Sequence, residues 1–434
     1  MNIALSKLKK VYVFIFLLAG CYIFLPTALD RRASNVADPN QDECFYGDFG
    51  DPNGYKDTQS GAIFKPKIYP SETPIVKTLD LNDSGLLKNR CQYTDVLYET
   101  ICTKSRAAND PNRSKDGRWK CDYERYKNYS EKKTVVVYIH GWKHGSSTKD
   151  HKSFGLFINQ LKELREASND TGQIIGVYVA WNGALNWGPL ENLSFWNRKR
   201  AADQIASSGS VTKLIGSLAS TLNLSDNEDN EMILIGHSFG ARILYSSISQ
   251  PVIFDIETKR SIQKHGIGEY PSFDLLADST IFLNPAFEAS RYSALDSLRR
   301  RENSISSEQQ PLFLTVSTDN DYATKFAFPL GQWVGFAREK SEEQTIGNFE
   351  DYITHKLEKT DTCSSESKGV WYDQYIAILD NDQKYCLSRI TNKQPGNPFI
   401  VASTDKSIVD GHNGIWDRDF LFWLAKYLDE NSQK

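Results

Sequence analysis

The residues with the clearest chemistry run from Glu231 to Leu244, and within them Gly236-His237-Ser238-Phe239-Gly240 forms a G-x-S-x-G pattern. In that pattern a serine occupies a sharp turn between a strand and a helix. Glycines at its two ends remove Cβ atoms where backbone segments must approach closely, and the strained turn aims the Ser238 hydroxyl away from the sheet. The start of the following helix adds free backbone N–H groups, which favour nearby negative charge. The chemistry this predicts is attack by a hydroxyl with an oxyanion forming beside it. Five residues with three fixed also recur in ordinary buried turns, so other parts of the chain must supply the partners.

A serine hydroxyl is a weak nucleophile near neutral pH, and it needs a base within hydrogen-bond reach and a carboxylate to orient that base. The chain has seven histidines. His237 is inside the turn, with its ring expected to point away from the hydroxyl. His140 ends a strand and is expected to shape its loop. His144 and His151 follow closely, and His265 and His355 sit in polar, weakly patterned segments. His412 lies in Ile408-Val409-Asp410-Gly411-His412-Asn413-Gly414, a glycine-flanked loop before the final helix, and is the expected base. For the acid, the strand ending at Val316 leads into Ser317-Thr318-Asp319-Asn320-Asp321. Asp321 is the preferred carboxylate, and Asp319, after the same strand, is the alternative acid. Asp410 is too near His412 in sequence to be favoured.

The elements that must position these residues become regular from Thr134. Met232 to Ile235 is apolar without alternation, which is how a strand buried on both faces of a parallel sheet reads. Thr134 to Ile139 and Ile174 to Ala180 have the same character, as do Ser279 to Leu283, Pro311 to Val316 and Phe399 to Ala402. Between them lie segments with helical spacing, such as Phe154, Phe157, Ile158, Leu161 and Leu164. Strand–helix alternation predicts an α/β fold with a mostly parallel central sheet and helices on both faces. Right-handed crossovers then gather the strand C-termini along one edge, where ligands bind. Trp142, Trp181, Ser238, Asn284 and the Asp319–Asp321 turn all fall at such ends.

The chain order Ser238, Asp321, His412, with strand-His140-Gly141-Trp142 upstream, resembles the α/β-hydrolase superfamily of serine esterases and lipases. The resemblance covers about residues 134 to 427. It implies that Ser238 is the nucleophile, His412 the general base and acid, and Asp321 its orienting carboxylate. It also implies that the oxyanion hole uses the backbone N–H groups of Phe239, next after the nucleophile, and Trp142, after His-Gly. The implied activity is cleavage of a small ester or lipid substrate through an acyl-enzyme, without a cofactor. A module that keeps the fold for surface binding or scaffolding without turnover is the alternative.

The long interval between Asp321 and His412 marks a late insertion at about 325–396, rich in charge and a candidate cap. Residues 44–133 read as an N-terminal extension packed on a main domain spanning 134–430, and 30–43 as a polar tether. Two aromatic clusters, Trp187 to Trp196 and Phe326 to Phe336, read as an acyl pocket or lid, or as ordinary packing beneath the insertion.

At the N-terminus, Lys7, Lys9 and Lys10 precede an uncharged apolar run from Val11 to Leu29, the pattern of an exported or anchored chain. Leu18-Ala19-Gly20-Cys21 resembles a bacterial lipobox, which makes Cys21 a lipidation candidate. The run continues through Tyr22-Ile23-Phe24-Leu25, so an uncleaved membrane anchor is the other reading. In either case the domain is expected outside the cytoplasm, joined to the membrane by residues 1–29. Leaving Cys21 aside, the other cysteines are Cys44, Cys91, Cys102, Cys121, Cys363 and Cys386, an even set in a compartment that permits disulfides. Cys363 with Cys386 is the preferred pair. No C-x-x-C pair or dense Cys/His cluster occurs, and His140 with His144 lacks the helix and glutamate of a zinc protease motif, so no metal is expected. A net charge of −4 leaves no basic footprint for nucleic acid, and Arg198-Lys199-Arg200 and Arg299-Arg300-Arg301 read as solvated helix faces.

Overall fold

The computed structural model describes residues 75–89, 132–146, 149–170, 172–185, 194–223, 229–264, 277–299, 310–329, 339–360, 374–378, 383–390 and 398–432, with a few short stretches between them (55–56, 63–64, 92–93, 96–97 and 332). The expected signal or anchor, the tether, Cys21, Cys44, Cys91, Cys102, Cys121 and Cys363 lie outside the described residues. Among the described residues, no helix is long and apolar enough to cross a membrane.

The sheet strands are β1 (Ile75–Asp80), β2 (Lys133–Ile139), β3 (Gln173–Ala180), β4 (Glu231–His237) and β5 (Ser279–Leu283). They are followed by β6 (Phe313–Thr318), β7 (His355–Lys359), β8 (Gln374–Ile378), β9 (Lys384–Arg389) and β10 (Phe399–Thr404). All ten form one sheet in the order β8-β9-β7-β10-β6-β5-β4-β2-β3-β1. From β1 across to β7 every pairing is parallel. Only β9, antiparallel to both β7 and β8, runs the other way.

The helices are α1 (Lys149–Ala167), α2 (Phe195–Ser207), α3 (Ser210–Asn223), α4 (Phe239–Lys264), α5 (Ser293–Arg299) and α6 (Arg418–Ser432). Alternate residues of one strand feed two separate cores. In β2, Val135, Val137 and Ile139 join the core with α2, α3 and α4, whereas Val136 and Tyr138 join the core with α1 and α6. In β4, Met232 and Leu234 face the first core and Ile233 and Ile235 the second. That is why these strands show no polar alternation: both faces are covered, and each buried side chain contributes about 1.5–3 kcal/mol.

Three expectations are corrected here. A domain start at residue 134 leaves out β1, which pairs in parallel with β3 from Ile75–Ile175 to Asp80–Ala180 as an edge strand of the same sheet. The insertion at about 325–396 supplies β7, β8 and β9, which extend the opposite edge. Its strands are inconspicuous in sequence because they are short and partly exposed: β7 exposes part of one face and carries a single apolar residue, Leu357. Arg198 and Lys199 do not form a solvated face. Arg198 is buried and pairs with Asp83 at 2.8 Å, and Lys199 pairs with Glu288 at 2.8 Å. Cys386, buried in β9, is disulfide-bonded.

Candidate active site

Ser238 sits where β4 ends and α4 begins, with φ of +55°, a left-handed conformation that non-glycine residues rarely adopt. Holding a residue there costs on the order of 1–3 kcal/mol, which the surroundings must offset. Backbone bonds lock it on both sides. Ser238 N–H donates to the Leu283 carbonyl at 3.1 Å, and the Ser238 carbonyl accepts from Ala286 N–H at 3.1 Å. Both pattern glycines are required by space. A Cβ on Gly240 would lie 2.0 Å from the Ile139 carbonyl oxygen, and one on Gly236 would lie 2.6 Å from Ala241 Cα.

Tertiary structure brings the three expected residues together. His412 Nε2 is 2.8 Å from Ser238 Oγ, and His412 Nδ1 is 2.6 Å from Asp321 Oδ2. With the carboxylate accepting at Nδ1–H, Nε2 presents a lone pair to the serine hydroxyl. The Asp321 carboxylate also accepts from Ala323 N–H (2.8 Å), Thr324 N–H (3.2 Å) and Thr324 Oγ1–H (2.7 Å). Burial alone would lift this carboxyl, but the hydrogen bond and charge of His412, with the Thr324 donors, hold it below the ordinary carboxylate range. Asp319 is exposed, and Asp410 pairs with Asn320 at 2.8 Å. Of the candidate carboxylates, Asp321 is the one bonded to His412.

The His412 loop is tied down by residues whose part the sequence does not reveal. Asn284, just after β5 with φ of +40°, accepts from Thr318 N–H at 3.0 Å through Oδ1. Through Nδ2 it donates to the His412 carbonyl at 3.0 Å and the Gly411 carbonyl at 3.3 Å. One side chain thus joins the end of β6 to the His412 loop. Asn320 repeats the link, accepting from Gly411 N–H at 3.0 Å. His237 points its Nε2–H at the His412 carbonyl, 3.0 Å away, and burial followed by the neighbouring His412 keeps its pKa well below the ordinary value. The signal for Asn284 was its place at a strand end, where Asn tolerates positive φ. For His237 and Asn320 no sequence signal separates these contacts from ordinary turn chemistry.

His140 is a structural residue. Its Nε2 accepts from Trp181 N–H at 3.0 Å and its Nδ1 lies 2.8 Å from the Gly141 carbonyl, so Nδ1 carries the proton. Burial drives its pKa down to about 3, and the ring stays neutral while joining the ends of β2 and β3. The loop after β2 is held further by Lys143 N–H donating to the Gly183 carbonyl at 2.8 Å. Gly141 packs on Ser238 so closely that a Cβ there would lie 2.7 Å from Ser238 Cβ.

Trp142 and Phe239, expected to supply the oxyanion donors, line a cleft with Ser238 and His412. Phe195, Ala286, Ala323, Thr324 and Phe328 complete it. The Trp142 indole donates to Ser194 Oγ at 2.9 Å, and its ring packs edge-on to Phe195 at 5.7 Å. Of the two aromatic clusters, Phe195 and Phe328 reach the cleft, Trp196 is exposed, and Trp187, Trp333 and Phe336 lie outside the described residues.

A serine on a strand–helix elbow, an acid after a later strand and a histidine after the last strand, along one edge of a mostly parallel sheet, define a known architecture. The fold is an α/β-hydrolase fold. No protein-family model matches the chain, and no curated protein does. Among solved structures, phospholipase PlaB from Legionella pneumophila matches at 11% identity over 69% of this chain, with a TM-score of 0.29. The match spans 62% of the phospholipase's own length. Esterase B from Lactobacillus rhamnosis matches at 12% identity over 71% of this chain and 78% of its own, with a TM-score of 0.27. A YdeN-like hydrolase from Pectobacterium atrosepticum matches at 12% identity over 69% and 91%, with a TM-score of 0.24. Likenesses this distant decide nothing about the chemistry of this chain.

Proposed function

We propose that this protein is a serine hydrolase that cleaves carboxylic esters through an acyl-enzyme. The observation that carries the reading is the continuous hydrogen-bonded line from Asp321 through His412 to Ser238, at 2.6 and 2.8 Å. Ser238 Oγ attacks the ester carbonyl carbon as His412 Nε2 takes its proton, and the negative charge on the former carbonyl oxygen falls to the backbone N–H groups of Trp142 and Phe239. The protonated His412 is steadied by the Asp321 carboxylate and returns the proton to the leaving alkoxide. Water, deprotonated by His412, then attacks the acyl carbon and frees Ser238. The cleft beside Ser238 is walled by Phe195, Phe239 and Phe328, so the expected acyl group is apolar.

The test is labelling by a short-chain fluorophosphonate followed by peptide mass spectrometry. A single adduct on Ser238, lost in H412A, is expected. Folded protein that takes no adduct at Ser238 removes the proposal.

The same reading puts the catalytic domain outside the cytoplasm, held at the membrane by the apolar run Val11–Leu29 or by lipid on Cys21, and pairs Cys363 with Cys386. The motivation is the lysine-flanked apolar run, the lipobox-like Leu18-Ala19-Gly20-Cys21 and the bonded state of Cys386. Release of the full chain into the soluble fraction without detergent, or a non-reducing peptide map joining Cys386 to another cysteine, counts against these assignments.

A further inference from the structure

We propose that His144, Asp150 and His237 form a binding site for one divalent d-block cation, with Zn²⁺ the best fit, beside the serine–histidine–aspartate triad. One candidate ligand atom from each residue lies within 4.8 Å of the other two. His144 Nδ1 is 3.9 Å from Asp150 Oδ1, and the His144 and His237 rings are 6.2 Å apart between centroids. A tetrahedral ion with bonds of about 2.0–2.2 Å holds its donors roughly 3.3–3.6 Å apart, so closing this set around Zn²⁺ takes side-chain shifts of about 1 Å.

An independent observation comes from His237. Its ring is fully buried, Nε2–H is committed to the His412 carbonyl, and Nδ1 has no hydrogen-bond partner among the described residues. An imidazole that donates one N–H to a backbone carbonyl and keeps the other lone pair unused is in the state of a metal ligand, since the outer hydrogen bond fixes tautomer and ring orientation. Asp150 is held in the same manner. It is buried, and its carboxylate accepts from Tyr138 Oη at 3.0 Å, Tyr178 Oη at 3.2 Å and Trp416 Nε1 at 2.5 Å. Those donors orient the carboxylate and leave lone-pair capacity on the side facing His144. Two nitrogens and one carboxylate oxygen suit Zn²⁺ and not Ca²⁺ or Mg²⁺, which take oxygen donors, and a water would complete four-coordination.

The spacing of His140 and His144 alone predicts no metal. What changes the chemistry is His237, which arrives from β4, while His144 comes from the loop after β2 and Asp150 from the first turn of α1. The His237 and His412 rings are 4.9 Å apart, so an ion on Nδ1 would brace the base loop through the Nε2–H bond without touching the reacting atoms.

The experiment uses the full-length chain in detergent, free of any polyhistidine tag, stripped with chelator, given Zn²⁺, passed over a desalting column and assayed for metal by plasma emission. Wild type should retain about one more Zn²⁺ per chain than H144A or D150N, and Zn²⁺ should raise the Tm of wild type alone. His144 sits in a partly exposed loop, so H144A is expected to fold, and a circular dichroism spectrum matching wild type reports this. Equal Zn²⁺ retention by wild type and H144A overturns the site and leaves Nδ1 to a buried water, and so does retention of Ca²⁺ as strong as that of Zn²⁺. The metal count does not depend on ester cleavage, so its failure and the failure of the hydrolase reading are separate results.

Discussion

At the scale of single residues, Asp321 and Gly141 carry the sharpest expectations. The Asp321 carboxylate accepts four hydrogen bonds, one from His412. D321N keeps the shape but puts an amide where acceptors are needed, and it favours the His412 tautomer that cannot deprotonate the serine. A fall in kcat of about 10⁴-fold near neutral pH is expected, measured on a short-chain chromogenic ester. D319N should leave kcat within about twofold, since an exposed carboxylate outside the hydrogen-bonded line adds little. G141A forces a methyl group to within 2.7 Å of Ser238 Cβ unless the loop moves. Because about 1 Å of misplacement can cost 10²-fold, kcat should fall by about that factor, while circular dichroism stays that of wild type. Substituting Trp142 or Phe239 acts differently: their expected donors are backbone groups, and side-chain changes reach the oxyanion only through loop shape.

At the scale of elements, the site is assembled by the ends of β2, β4, β5, β6 and β10, and Asn284 is the joint between three of them. N284D tests this without disturbing the positive φ, which Asp also tolerates. The carboxylate can still accept from Thr318 N–H but faces the Gly411 and His412 carbonyls with a second acceptor. kcat should fall by about 10²-fold with little change in KM, because the base loop is displaced and the acyl cleft is not. A large rise in KM at unchanged kcat would assign Asn284 to substrate binding instead. The central strands and the elbow were legible because burial on both faces leaves continuous apolar runs. The outer strands β1, β7, β8 and β9 were not assigned to the sheet, since segments of five or six residues set among polar loops are too short to establish a period.

At the scale of the whole molecule, a partly buried ionic cluster joins α4, α2 and the 3₁₀ turn after β5. Arg242 bonds Asp203 at 2.8 Å and Glu288 at 2.7 Å, and Glu288 also receives Lys199 and Arg291, each at 2.8 Å. Burial raises the Glu288 carboxyl, but Arg242, Lys199 and Arg291 outweigh it and hold the group far below the ordinary glutamate range. A depressed carboxylate pKa adds stability above the unfolded-state value, and that stability is lost as pH falls toward the folded-state value. E288Q should therefore lower the unfolding free energy near pH 7 by on the order of 3 kcal/mol, read by urea denaturation. The gap between wild type and E288Q should hold down to about pH 4.3, the unperturbed glutamate value, and then narrow by the slope of one proton. A pH-independent gap would mean that Glu288 acts through packing and not through charge.

The sequence by itself determined the parallel sheet and the elbow, and it nominated Ser238 and His412 as the proposed nucleophile and base, because these readings depend on local signals: unbroken apolar runs, glycines where backbones touch, and a histidine in a glycine-flanked loop. It also narrowed the acid to two aspartates after one strand. Only tertiary structure chose between them, since residues two apart in a turn point in different directions and the choice depends on where a loop from the far end of the chain arrives. The Asn284 and His237 clamps, the buried pairing of Arg198 and Lys199, and the meeting of His144, Asp150 and His237 likewise join segments distant in sequence. Contacts of that kind leave no spacing to read.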